Sequence, residues 1–144
     1  MPITFRPSAG DVLICEFGPD PQNPATYPLN FPPLSMSPEM HKRRQVVVLN
    51  TNAYGDLIIV APFSTVPPRI MHGYHHFISA GVFPFLPEDC WLKGDMVMAV
   101  SKLRLDRMLI NGRYGRASLS PADVKACRIC ALESFGLGRL AAHL

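Results

Sequence analysis

Two stretches decide how this chain is read: His41–Asn50, HKRRQVVVLN, and Leu57–Thr65, LIIVAPFST. Each holds an aliphatic run of the length of a buried strand, bordered by side chains able to hold a phosphate. Lys42, Arg43 and Arg44 stand where the first run begins, and Ser64 and Thr65 where the second ends. Asn52, Gly55 and Asp56 carry turn chemistry between them, so the two runs are expected to pair as antiparallel neighbours. A guanidinium and a hydroxyl at adjacent strand ends make a rigid anion-binding pair, because arginine presents a fork of donors that matches phosphate oxygens.

Upstream, Val12–Phe17 (VLICEF) follows a Gly10-Asp11 turn and reads as a first strand. Gly18–Met40 then carries seven prolines, which neither a helix nor a central strand tolerates. Its Tyr27, Leu29, Phe31 and Leu34 argue for a long loop that is partly packed down. Downstream, Val66–Gly73 is a turn-rich connection with Pro67, Pro68 and Arg69, and His75–Ile78 reads as a short strand. Gly81–Cys90 is another loop. Trp91–Val100 reads as a strand interrupted at Gly94, a residue type that marks a bulge or a close approach. Leu103–Ile110 fits either a strand or a single helical turn; Asn111-Gly112 is a hairpin signal, with Tyr114 on the return strand.

The helix comes late, over residues 121–135. Ser120 suits the cap, Pro121 the first helical position and Asp123 a capping-box-like role. Val124, Cys127, Ala131 and Phe135 recur on one face, and Gly136 is the stop signal. The pattern predicts one domain over 1–144: a small, strongly curved antiparallel barrel with a C-terminal helix packed against it.

Composition narrows the function classes. Apolar residues make up 48% of 144 positions, enough for a core, yet no run reaches the roughly 18 residues of a membrane span. The opening MPITFRPSAGD has neither a charged leader nor an apolar signal core, so a cytoplasmic protein without membrane attachment is expected. Net charge is +3, compatible with nucleic acid but far from a basic arm. Cys15 and Cys90 sit in apolar contexts, and the CxxC of Cys127 and Cys130 has no second pair, so all four are expected in the core rather than on a metal.

Four motifs occur in order: Gly10-Asp11-Val12, Arg43-Arg44 running into Gln45-Val46-Val47-Val48, Ala61-Pro62-Phe63-Ser64-Thr65, and Lys93-Gly94-Asp95. In that order they resemble the MazF/PemK family of bacterial toxin–antitoxin toxins over about residues 8 to 135. The resemblance implies an SH3-like barrel with a C-terminal helix and a homodimer. It also implies cleavage of single-stranded RNA without a cofactor or metal, and an antitoxin whose extended tail blocks the site. It places Arg44 at the family's strand-entry arginine, Ser64 at its strand-end hydroxyl, and Asp95 and Lys93 at an acid and a basic residue used in cleavage by some members. The chain departs from the pattern in three ways. Gln45 replaces the usual proline, either Arg43 or Arg44 can point inward, and the 18–40 loop is long.

Metal-free RNA cleavage uses the 2′-hydroxyl as nucleophile, and each assisted proton transfer is worth about 10² to 10⁴ in rate. Arg44 is always protonated and suits charge stabilisation. Asp95, Glu39 or His41 is the candidate base, His41 titrating nearest neutrality. Lys93 is a candidate acid or second clamp, and Ser64 and Thr65 donors to a phosphate oxygen. Lys42, Arg43 and Arg69 are candidate backbone contacts. Tyr27 and Phe31 are the candidate stacking residues, with Trp91 assigned to the core. The bland readings remain beside these: Ser64 as a turn former and Asp95 as an acceptor in a bulge. Two rival functions stay open. One is a non-catalytic, growth-inhibitory binding module on the same barrel, akin to gyrase-poisoning relatives. The other is a metal-dependent hydrolase using His75, His76 and Asp89.

Overall fold

A computed structural model of the chain describes residues 2–18 and 40–144. The predicted loop, with Tyr27, Phe31 and Glu39, lies outside the described residues. The strands are β1 (Asp11–Glu16), β2 (Arg43–Thr51), β3 (Leu57–Ser64), β4 (His75–Ile78), β5 (Cys90–Lys93), β6 (Met98–Ser101), β7 (Leu105–Ile110), β8 (Arg113–Gly115) and β9 (Ala117–Ser118), followed by helix α1 (Pro121–Ser134). They form one antiparallel sheet in the order β4-β5-β3-β2-β1-β7-β8, with β6 on β3 and β9 on β1. The mainly β class with a C-terminal helix is as predicted. The strand path is open, ending at β4 and β8, and does not close into a barrel.

β2 is the middle of this sheet because its apolar run can be covered on both sides. Val46, Val47 and Val48 are fully buried and Leu49 nearly so. Alternation sends Val47 and Leu49 into a core shared with Val12, Ala61, Phe63, Leu92 and the α1 residues Cys127, Cys130 and Ala131. Val46 and Val48 enter a second core, with Leu13, Cys15, Ile58, Val60, Val100 and Leu105. All four cysteines are buried, as expected.

β2 and β3 pair as predicted, and Asn52 builds the turn between them: its side-chain oxygen accepts from the backbone N–H of Gly55, Asp56 and Leu57. Pro62 is fully buried within β3, where a missing donor is normally costly. It is tolerated because it falls between two neighbours: β6 pairs with β3 as far as Val60, and β5 takes over from Phe63.

The expected strand over residues 91–100 is two strands, split by a 3₁₀ turn at Gly94–Met96. The reason is α1. A β-carbon on Gly94 would stand 2.6 Å from the Tyr74 carbonyl oxygen and 2.8 Å from the Cys130 β-carbon, so strand and helix meet only at a glycine. Leu103–Ile110 divides likewise into a 3₁₀ turn and β7. Asn111 and Gly112 both take positive φ, as a tight hairpin requires. α1 begins as read, with Ser120 accepting from the Asp123 N–H. It ends one residue early, at Ser134. There the Gly136 N–H donates to the Glu133 carbonyl and the Leu137 N–H to that of Leu132, a Schellman closure. The tail adds a 3₁₀ segment at Gly138–His143.

Candidate functional site

Alternation and register decide which candidate side chains share a surface. Val46 of β2 stands opposite Pro62 of β3 at the end of that ladder, and alternation puts Arg44 and Ser64, each two residues further along its strand, on the same face of the sheet. Ser64 in turn pairs with Trp91 of β5, and Trp91 with Phe77 of β4. Ser64, Trp91 and Phe77 therefore lie in one row, spaced about 5 Å from strand to strand, on the face opposite α1, and Arg44 shares that face. The adjacent row brings Lys93 opposite His75 on that same face. Below Arg44 the face is closed by Val46 and Cys15 of the second core. At the row itself side chains are half-buried or exposed, so an open strip of the sheet, called the groove below, begins where the apolar packing ends.

Arg44 is half-buried, and its Nε donates to the His41 carbonyl at 3.3 Å. That bond holds the arm through one nitrogen. Arg43 points to the other face, where it pairs with Asp106 at 3.6 Å. The choice the sequence leaves between the two arginines is thus made by alternation: Arg44 belongs to the groove. Lys42, exposed, takes φ +67, a left-handed conformation uncommon for a residue with a side chain. It stands at the base of the long connection, with its N–H donating to Gly18 and its carbonyl accepting from Phe17.

Ser64 is engaged locally. Its hydroxyl accepts from the Val66 N–H at 3.1 Å and lies 3.3 Å from the Val66 carbonyl, the turn-forming role also open to it. Thr65 beside it is exposed, as is Arg69 in the following connection. Lys93 is half-buried on β5. Asp95 is not in the row. It sits in the 3₁₀ turn beyond β5, on the rim of a pocket of about 260 Å³ bordered by Tyr74, Val97 and Glu133. It reaches the row electrostatically, through His75.

His75 is the group that sequence reasoning placed wrongly. The metal reading needs it beside His76 and Asp89, but neighbours in a strand face opposite ways. His76 crosses to α1 and bonds Asp123 at 2.9 Å, while Asp89 accepts from the Ala80 N–H. His75 instead faces the groove, its Nδ1 accepting the His72 N–H at 3.0 Å. A neutral ring held that way carries its proton on Nε2. Burial lowers its pKa, the carboxylate of Asp95 opposes this, and the charges of Lys93 and His72 add to the lowering. The result below the usual 6.5 leaves a neutral donor at neutral pH.

Trp91 is also corrected. It is half-buried rather than core, and its ring lies 5.2 Å from that of Phe77, which is 42% exposed. The signal was present in the alternation of HHFI and CWLK, but it needs the strand register to be seen. His41 is half-buried beside Arg44. Among the described residues this face thus gathers Arg44, Ser64 and Lys93 of the predicted set, and leaves Arg43 on the other face and Asp95 in the turn beyond β5.

The chain has relatives. It is 36% identical over 115 residues to YifN, a putative uncharacterized protein of Escherichia coli K12, covering 74% of this chain and 76% of that one. It is 35% identical over 106 residues to an uncharacterized protein of Haemophilus influenzae, covering 69% of each. Among solved structures, an endoribonuclease from a mycobacterial species superposes with a TM-score of 0.59 at 12% identity, over 92% of this chain and 94% of that one. The Mycobacterium tuberculosis toxin MazF-mt6 superposes with a TM-score of 0.53 at 18% identity, over 69% and 92%. An endoribonuclease in complex with its cognate antitoxin does so with a TM-score of 0.53 at 15% identity, over 91% and 96%. The likeness to these structures is one of fold, and residues 8–132 match the sequence pattern of one family throughout. This chain belongs to the PemK-like, MazF-like toxins of type II toxin–antitoxin systems.

Proposed function

We propose that the chain is an endoribonuclease toxin that cuts single-stranded RNA by attack of the 2′-hydroxyl on the adjacent phosphorus, without a metal ion. The observation that carries this reading is the face itself. A half-buried arginine, a strand-end hydroxyl and a lysine lie on one open face, in a family of toxins whose fold is shared with endoribonucleases.

In this mechanism the Arg44 guanidinium stabilises the charge that builds on the phosphorane, a role for fixed cationic donors. Ser64, released from Val66, or Thr65 next to it, holds a non-bridging oxygen. Lys93 supplies a second cation and protonates the departing 5′-oxygen, whose bond to phosphorus breaks as the 2′-oxygen bond forms. The His75 Nε2–H donates to the phosphate and is not the acid, because a neutral imidazole gives up its remaining proton only at extreme cost. The base that takes the 2′-hydroxyl proton is Asp95 or His41. Arg69 and Lys42 contact the backbone of the strand. The protein works as a homodimer in the cytoplasm, and a cognate antitoxin restrains it, as another protein of this fold is found in complex with its own.

Incubating the purified protein with mixed RNA in the presence of a chelator tests the reading. Cleavage leaving a 2′,3′-cyclic phosphate is the expected result. Absence of cleavage refutes it and leaves the non-catalytic binding module as the function of the fold, whereas abolition by the chelator refutes the metal-free mechanism.

A further inference from the structure

The groove face carries a feature that phosphate chemistry does not use. Phe77 and Trp91 face each other across β4 and β5, with ring centroids 5.2 Å apart and planes tilted by 38°. Phe77 is 42% exposed in a strand whose other face packs against α1, and Trp91 keeps part of its indole open. Large rings normally contribute by burial, so a pair held open on a rigid ladder is available to something flat and apolar.

The surroundings say what kind of partner this is. Trp91 is the direct cross-strand neighbour of Ser64, and Arg44 shares this face from β2, the strand beyond β3. Lys93 and His75 occupy the next row on the same face, and Arg69 is exposed in the connection between β3 and β4. An apolar shelf bordered by the cations Arg44, Lys93 and Arg69 matches a ligand with planar groups on an anionic chain. The carboxylate nearest the start of β5, Asp89, is turned to the Ala80 N–H.

We propose that Phe77 and Trp91 form a stacking shelf for an unpaired nucleobase next to the phosphate held at Arg44 and Ser64. The proposal rests on the RNA reading above and deepens it by naming the residues that select for a base. Stacking tolerates any base but strengthens with ring area, so the shelf favours purines over pyrimidines at that position. A sheet-borne platform is also more rigid than one carried on a loop.

Trp91 is the sole tryptophan of the chain, so its fluorescence reports on the shelf alone. The probe is a uniformly 2′-O-methylated oligoadenylate of about eight nucleotides, a length within the span of single-strand sites and unable to react. Titration should quench Trp91 with the base-bearing strand and leave it unchanged with an abasic strand of the same length. Oligouridylate should bind more weakly than oligoadenylate. Phe77→Leu should weaken binding roughly tenfold to a hundredfold, and Phe77→Tyr should restore it.

Equal binding and equal quenching by the abasic strand overturn the shelf while sparing the phosphate site. No binding of any strand at low salt overturns the RNA reading and the shelf together. If Phe77→Leu instead turns a dimer into a monomer in sedimentation, the rings are a subunit contact and the proposal fails. The abasic comparison uses the unaltered protein, so it decides the matter even if a variant does not fold.

Discussion

At the scale of single residues, Arg44 and Gly94 do opposite kinds of work. Among the described residues Arg44 is tethered through Nε to a carbonyl three residues away, so little of that part of the fold depends on its charge. Arg44→Ala should therefore leave the thermal midpoint almost unchanged while lowering the rate of RNA cleavage by about 10² to 10³, the usual loss for one aimed donor. Arg44→Lys should recover only part of this, since an ammonium cannot reproduce the two-pronged contact. Gly94 touches no substrate in this reading, yet a β-carbon there would overlap both Tyr74 and Cys130. Gly94→Ala should cost about 1–3 kcal/mol of stability, read as a lower urea midpoint with unchanged slope. Glycine in the Lys93-Gly94-Asp95 motif is thus explained by packing, although its neighbours were singled out for chemistry.

At the scale of elements, α1 is held to the sheet by a carboxylate with two partners. Asp123 accepts from the Ser120 hydroxyl and bonds His76 of β4. Burial raises its pKa, but the hydrogen bonds from Ser120 and His76 and the attraction of His76 outweigh this and leave it below the ordinary 3.8. A carboxyl depressed in the folded state stabilises the protein above its unfolded value, and that contribution is lost as pH falls through the folded one. Acid unfolding should accordingly begin below about pH 4, and Asp123→Asn should flatten that limb of the stability curve. Ser120→Ala should cost about 1 kcal/mol by removing the cap. The face of α1 that meets the sheet also explains the cysteines. Burial pushes Cys130 and Cys90 up to about 11 and raises Cys127 as well, while Cys15 in the second core reaches about 12. Thiolate is the reactive form, so all four should resist a disulfide reagent at pH 8 and react only after denaturation.

At the scale of the whole molecule, the modest charge of +3 matters less than where the cations stand. Binding of a single strand should weaken with salt, and Arg44→Ala should lower the slope of log affinity against log salt by about one, the signature of one lost phosphate contact. The strands β1 to β4, the turn at Asn52, the hairpin at Asn111-Gly112 and the capped helix were legible in the chain, whereas the split of residues 91–100 into two strands was not. Each rests on local backbone chemistry or on the side-chain period of a single element. The family, too, was readable from the order of short motifs. What the chain could not disclose is relative placement. Whether Arg43 or Arg44 enters the groove follows from which face of β2 is sealed by the second core. The separation of His75 from His76 follows from the pairing of β4 with β5 against α1. Trp91 and Phe77 become one surface only through the register of two four-residue strands. Sequence by itself determined which segments extend, turn or coil, because those preferences act over a few bonds. Tertiary structure alone decided which side chains share the groove, because that depends on contacts between residues tens of positions apart.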